Sequence, residues 1–148
     1  ILYIIRTLLD FHPESNRTDI SQAVETLTRM QKRRCTAFLL SDFYQQKPFL
    51  KELQICNRKH DIVAIQVYDR RDRELPNIGL MRVRDAETGH EQYLDTSSSR
   101  VRSSYQRRWQ ERQERLKETF SHSGIDSVSI STADDYVKHL MMLFKQRS

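Results

Sequence analysis

Glycine is scarce in this chain, three in 148 residues, at positions 79, 89 and 124. That leaves no glycine-rich phosphate loop and no Gly-x-Ser-x-Gly nucleophile elbow. The five histidines, His12, His60, His90, His122 and His139, show no His-x-x-x-His spacing, and the two cysteines form no Cys-x-x-Cys. Local zinc and dithiol motifs are therefore absent. His60 beside Asp61 could form an acid–base pair, but it reads more simply as a helix-end histidine before a strand, so no enzyme is expected. No apolar run approaches the roughly 20 residues that a helix needs to cross a bilayer, and no secretory leader is visible. Nor is the charge one-sided: 25 basic residues face 20 acidic ones, for a net charge of +5. That is weak support for nucleic acid on its own.

The remaining composition, 37% hydrophobic and 30% charged, suits one soluble globular domain over residues 1–148. Cys35 and Cys56 sit in apolar surroundings and read as isolated thiols, compatible with a reducing, cytoplasmic location. The chain opens without methionine, inside an apolar helical pattern. This suggests a fragment or processed product, whose parent could be tethered to a membrane with this domain on the cytoplasmic side.

Apolar residues from Ile1 to Leu9 recur at helical spacing. After the polar His12–Thr18 stretch, Ile20, Ala23, Val24, Leu27 and Met30 mark an amphipathic helix, capped by Thr18 or Asp19. Cys35 to Leu40 and Asp61 to Tyr68 are continuous apolar runs, read as strands buried on both faces, with a helix from Phe49 to Arg58 between them. Strand, helix, strand of this kind predicts a βαβ unit in a parallel sheet. Asp69 to Pro76 reads as a charged loop. Ile78–Arg84, the turn Asp85–Gly89 and Glu91–Leu94 predict a β-hairpin at the sheet edge. A long helix follows, with Val101, Tyr105, Trp109, Leu116 and Phe120 on one stripe, ended by Gly124. Ser127–Ser131 reads as a strand and Thr132 with Asp135 as a capping box. The last helix is expected to turn Tyr136, Val137, Leu140, Met141 and Phe144 inward.

The residues that could carry chemistry stand at a strand end and a helix start. The first strand delivers Ser41 and Asp42 at its carboxyl end, and Thr18 lies just before a helix. In open α/β sheets ligands bind at such positions, and hydroxyl and carboxylate oxygens suit a hard divalent cation. The alternative is structural: Thr18 caps a helix and Asp42 opens a loop.

The order of Thr18, an amphipathic helix and a strand ending Leu40-Ser41-Asp42 resembles the second half of a von Willebrand factor A domain. His60-Asp-Ile-Val-Ala-Ile-Gln-Val-Tyr-Asp-Arg-Arg-Asp-Arg-Glu-Leu-Pro76, with Ile78-Gly-Leu80 and Leu94-Asp-Thr96, is similar to the bacterial von Willebrand A-like proteins of domain-of-unknown-function family fifty-eight. The resemblance runs from about Leu9 to Phe144. It implies a doubly wound α/β fold with a mostly parallel sheet, here incomplete and lacking its first strands. It also implies a metal-ion-dependent adhesion site that takes Mg or Mn in the intact domain. Thr18 matches the second element of that site and Asp42, preceded by Ser41, the third. The first element, an Asp-x-Ser-x-Ser loop, is expected upstream of Ile1, so no tightly held metal is expected in this chain. The family's association with MoxR-type AAA+ ATPases implies a protein partner of that kind and a role in complex assembly or maturation.

Asp95-Thr-Ser-Ser-Ser99 satisfies the same loop pattern as a string, but its place in chain order makes it a linker and helix start. In the resembled fold strand 35–40 is central, so without the strand that carries the missing loop its edge would be open and apolar. This predicts that a second copy of the chain covers it or that the chain is only marginally soluble. The Arg-rich helix over residues 100–117 raises nucleic-acid binding as the alternative function. Against it, Glu111, Glu114 and Glu118 stand where they can pair with the arginines, and Tyr105 and Trp109 fall on the apolar stripe.

Overall fold

The computed structural model describes residues 1–12, 18–45, 47–85 and 89–147. Most of the 12–18 stretch and the centre of the hairpin turn lie outside the described residues. Along the chain run α1 (Leu2–Asp10), α2 (Ile20–Met30), β1 (Thr36–Ser41), α3 (Leu50–Lys59), β2 (Asp61–Tyr68) and α4 (Arg70–Arg73). Then come β3 (Leu80–Arg84), β4 (Glu91–Asp95), α5 (Ser99–Ser123), β5 (Asp126–Ser131) and α6 (Tyr136–Arg147).

The strands β1, β2 and β5 form a parallel sheet in the order β1-β2-β5. Central β2 is buried from Ile62 through Gln66, as its apolar run requires of a strand covered on both faces. Alternate residues point to opposite faces. Ile62 and Ala64, with Ala37 and Leu39 of β1, pack against Val24, Leu53, Cys56, Leu116 and Phe120 of α2, α3 and α5. On the other face α6 packs over β5, and Phe144 meets Phe38 edge-on with ring centroids 6.0 Å apart. The architecture is mixed α/β, with helices on both faces of a parallel sheet.

Several expectations change. β1 is not buried on both faces: Phe38 is 44% and Leu40 66% exposed. Among the described residues β1 pairs only with β2, and α6 packs chiefly over β5, reaching β1 through the Phe144–Phe38 contact. The hairpin β3–β4 does not join the parallel sheet but forms a separate antiparallel pair. It is tied to α5 instead. Buried Thr96 donates through Oγ1 to the Gly79 carbonyl at 2.6 Å, and Arg102 donates to the carbonyls of Thr96 and Ser97 at 2.6 and 2.8 Å. The charged loop contains the single-turn α4, closed by a capping box of Asp69 and Asp72. Thr132 and Asp135 make no capping box: the Thr132 amide donates to the Tyr68 carbonyl, and Asp135 alone caps α6 by accepting from the Val137 amide. α1 has the predicted helical form, yet none of its residues is buried.

The inner face of α6 is also rotated from its predicted position. Leu143 is buried, while Tyr136, Val137, Met141 and Phe144 are exposed. One turn beyond Leu143, on the same helix face, stands Arg147. Arg147 donates to both Asp61 oxygens at 2.6 Å and to Asp126 Oδ2 at 2.5 Å, pinning α6 across the amino ends of β2 and β5. This hydrogen bonding outweighs a smaller desolvation effect and holds the Asp61 carboxyl below the usual carboxylate range. A depressed carboxyl pKa stabilises the fold above the unfolded-state value of about 3.9 and ceases to do so as pH falls through the folded-state value. Arg147→Met is therefore expected to cost about 1 kcal/mol at neutral pH, kept modest by solvent screening around Asp126. Urea unfolding of both proteins at pH 7 and pH 3 measures this; a gap that persists undiminished at pH 3 would contradict the linkage.

Candidate functional site

The carboxyl ends of β1 and β2 open into a polar cleft of about 390 Å³. Thr18 and Asp42 both line it, so the fold brings these two sequence-predicted positions together. Two side-chain amides are responsible. The Ile20 amide at the start of α2 donates to Gln45 Oε1 at 2.7 Å, which ties the Thr18 segment to the loop after β1. Asp19, not Thr18, caps α2, accepting from the Gln22 amide at 2.9 Å. Gln66, only 3% exposed, donates to the Asp42 carbonyl at 3.3 Å and accepts from the Ser129 hydroxyl at 2.7 Å. It thereby clamps the end of β1 to β5 beneath the cleft floor.

Ser41 serves the turn. Its Oγ accepts from the Phe43 amide at 3.0 Å and donates to Asp42 Oδ1 at 3.4 Å. Phe43 adopts a left-handed φ of 54°, a conformation that costs a non-glycine residue about 1 kcal/mol. Its ring repays that by burial between Phe49 and Phe120, with centroids at 6.3 and 5.0 Å. Asp42 is thus presented by a turn that an aromatic cluster holds from below.

The opposite wall comes from α5. Trp109 lies against Tyr68 with centroids 5.4 Å apart, and the Arg112 guanidinium sits 4.7 Å over the Tyr44 ring. The Tyr105 hydroxyl donates to the Arg71 carbonyl at 3.2 Å, and burial pushes its pKa up. Asp72, Arg84 and Asp85 complete a rim of mixed charge.

As a metal centre this arrangement is incomplete. Asp42 Oδ1 already accepts from the Tyr44 amide at 3.0 Å. A divalent ion typically takes at least six oxygens, whereas Thr18 and Asp42 offer about two side-chain groups. Among the described residues no group of three or more His, Cys, Asp or Glu side chains is placed to hold a metal. Thr18 and Asp42 by themselves do not complete the shell of a hard divalent cation. The look-alike Asp95–Ser99 is a structural turn: Asp95 accepts from both the amide and the hydroxyl of Ser97, which holds its carboxyl low. His60 and Asp61 do not pair with each other. His60 is buried with Nδ1 3.5 Å from Cys35 Sγ, and Asp61 faces Arg147.

Sequence reasoning missed Gln45 and Gln66. Gln66 had a readable signal, since it is the lone polar residue within the apolar run from Ile62 to Val67. Gln45 had none, because its partner, the Ile20 amide at the start of α2, lies 25 residues away in the chain.

Fold and cleft together define a mixed α/β domain whose parallel strands end in a polar cleft. By sequence, residues 1–115 match the family described as a protein of unknown function, DUF58, and the chain belongs to that family. An uncharacterised protein of Mycobacterium avium is 28% identical over 135 residues, covering 91% of this chain and 79% of that protein. An uncharacterised protein of Mycobacterium tuberculosis is 36% identical over 77 residues, 52% of this chain but only 24% of that protein. The crystal structure of an uncharacterised membrane-spanning protein from Vibrio fischeri aligns at 18% identity, covering 89% of this chain and 57% of that one, with a TM-score of 0.35. Among the described residues no helix is long and apolar enough to cross a membrane.

Two outcomes are expected. Gln66→Met leaves the Asp42 carbonyl and the Ser129 hydroxyl without their buried partner, a loss of about 1–3 kcal/mol in urea unfolding; an unchanged midpoint would mean that the clamp contributes nothing. Calorimetric titration with magnesium or manganese is expected to show no saturable binding below millimolar concentrations. Micromolar affinity that Asp42→Ala removes would overturn the conclusion that the site is incomplete.

Proposed function

We propose that this chain is a non-enzymatic protein-interaction module, part of a von Willebrand A-like domain that assists complex assembly or maturation together with a MoxR-type AAA+ ATPase. The observation that carries the reading is the convergence of Thr18 and Asp42 on one cleft at the carboxyl ends of parallel strands. In this reading they are two corners of a three-loop adhesion site, and the third corner and the ion belong to the intact parent domain. The parent works in the cytoplasm or tethered on its cytoplasmic side.

Self-association belongs to the same proposal. β1 has no strand on its outer edge among the described residues, and Phe38 and Leu40 leave apolar surface beside it. Open apolar edges invite pairing. The nucleic-acid alternative has less support, because Trp109 packs against Tyr68 and the Tyr105 hydroxyl is committed to the Arg71 carbonyl.

A pull-down against the MoxR-type ATPase from the same source, with wild-type and Asp42→Ala protein, tests the partner: wild type is expected to retain the ATPase and the variant to lose it. Retention by neither protein would sink the ATPase reading. Light scattering at high protein concentration tests the edge, with a dimer expected and a strict monomer counting against it.

A further inference from the structure

A second groove runs beside the cleft, between the β3–β4 hairpin and the amino-terminal half of α5, with a volume of about 630 Å³. Its two walls differ in chemistry. The hairpin side and its approach present Leu75, Val83 and Leu94. These come together because Val83 and Leu94 lie on the hairpin face turned towards α5, while Arg82 and Tyr93, paired across the ladder, point away and are exposed. The helix side presents Arg100, Arg108 and Arg112, and no Asp or Glu lines the groove.

These three arginines are not neutralised by carboxylates among the described residues, although Arg112 lies over the Tyr44 ring. Among the described residues none of them is in an ion pair, although Glu111, Glu114 and Glu118 stand on the same helix. The local Arg–Glu pairing that the helical spacing predicts is thus not formed. By contrast, Arg102 is occupied by two backbone carbonyls and Arg147 by two carboxylates. A row of guanidinium groups beside an apolar wall, with no carboxylate in between, is complementary to an acidic ligand that also carries apolar side chains.

We propose that this groove docks an extended acidic segment of a partner protein, with acidic and apolar residues in alternation. The proposal rests on the reading of the chain as a protein-interaction module and names the chemistry of what is bound. The spacing supports it. At about 1.5 Å rise per residue, Arg108 and Arg112 stand about 6 Å apart along α5, and Arg100 another 12 Å away. An extended peptide rises about 3.3 Å per residue, so its alternate side chains are about 6.6 Å apart on one face. Acidic residues at i and i+2 therefore meet Arg108 and Arg112, one at i−4 or i−2 comes into reach of Arg100, and the intervening residues point towards Val83 and Leu94. Guanidinium forks bind carboxylates in this manner with charge-assisted hydrogen bonds. A nucleic-acid backbone would meet the same arginines, but it has no use for the apolar wall of Leu75, Val83 and Leu94.

The test is fluorescence anisotropy with the full 148-residue chain. The probe is a labelled peptide with the core Asp-Leu-Glu-Ile-Asp in a Gly-Ser context; the comparisons are its Asn/Gln counterpart and a labelled single-stranded oligonucleotide of similar charge. The acidic peptide is expected to bind, with affinity falling about tenfold for the Asn/Gln peptide and again for the Arg100→Gln/Arg108→Gln protein. Arg82→Gln, on the hairpin face turned away from the groove, is expected to leave peptide binding unchanged. No binding of the acidic peptide, or equal binding of the neutral one, overturns the groove proposal, and ATPase retention in the pull-down would still support the module reading. Tighter, arginine-dependent binding of the oligonucleotide overturns it in favour of nucleic acid. Peptide binding without ATPase capture would uphold the groove and reject the proposed partner.

Discussion

The pairing of β2 with a parallel strand on each side is the constraint on which the other features depend. Ile62–Gln66 is buried on both faces and hydrogen-bonded on both edges, so its direction and register are set by burial and backbone bonding together. Once β2 is placed, the carboxyl ends of β1 and β5 must lie beside Gln66 and Tyr68 respectively, and the loops that follow them open at the same end of the sheet. The cleft is a product of that alignment. Gln66 adds a polar tie at the last buried position, binding the backbone of Asp42 on one side and the Ser129 hydroxyl on the other.

The two ends of the sheet are built differently. At the amino ends, Arg147 gathers Asp61 and Asp126 into a charged clasp that orients α6. At the carboxyl ends, amides and hydroxyls hold the backbone, while Asp42 is left at the surface by a left-handed Phe43 packed into the aromatic core. Strain stored next to a polar cleft and offset by core packing is a common feature of binding sites. α5 connects the two adjoining surfaces, since Tyr105 and Arg112 line both the cleft and the groove beside it.

Much of the fold was legible in the sequence. The apolar run Ile62–Val67 can be nothing but a central strand, and its limits, Asp61 and Tyr68, are those observed. Asp19 and Gly124 are the chemical stops that bound α2 and α5, the first through its carboxylate and the second through its left-handed φ of 64°. The faces of β1 and α6 were not legible, because which side of an apolar segment meets the core depends on what is laid against it. In α6 Leu143 and, one turn on, Arg147 face the sheet, while most of the larger apolar stripe stays exposed. The hairpin's place was hidden for a similar reason: its strands are ordinary, and the contacts of Thr96 and Arg102 that position it are made across the fold.

The sequence by itself determined the fold class, the order of elements and the candidacy of Thr18 and Asp42, because periodicity, caps and strand ends are local properties of the chain. Only the tertiary structure decided that these two residues share a cleft, that Ser41 serves the turn, and that the arginines of α5 face an apolar wall without pairing with their own glutamates. Those outcomes depend on long-range contacts, above all those of Gln45 and of the hairpin, which leave no trace in residue spacing.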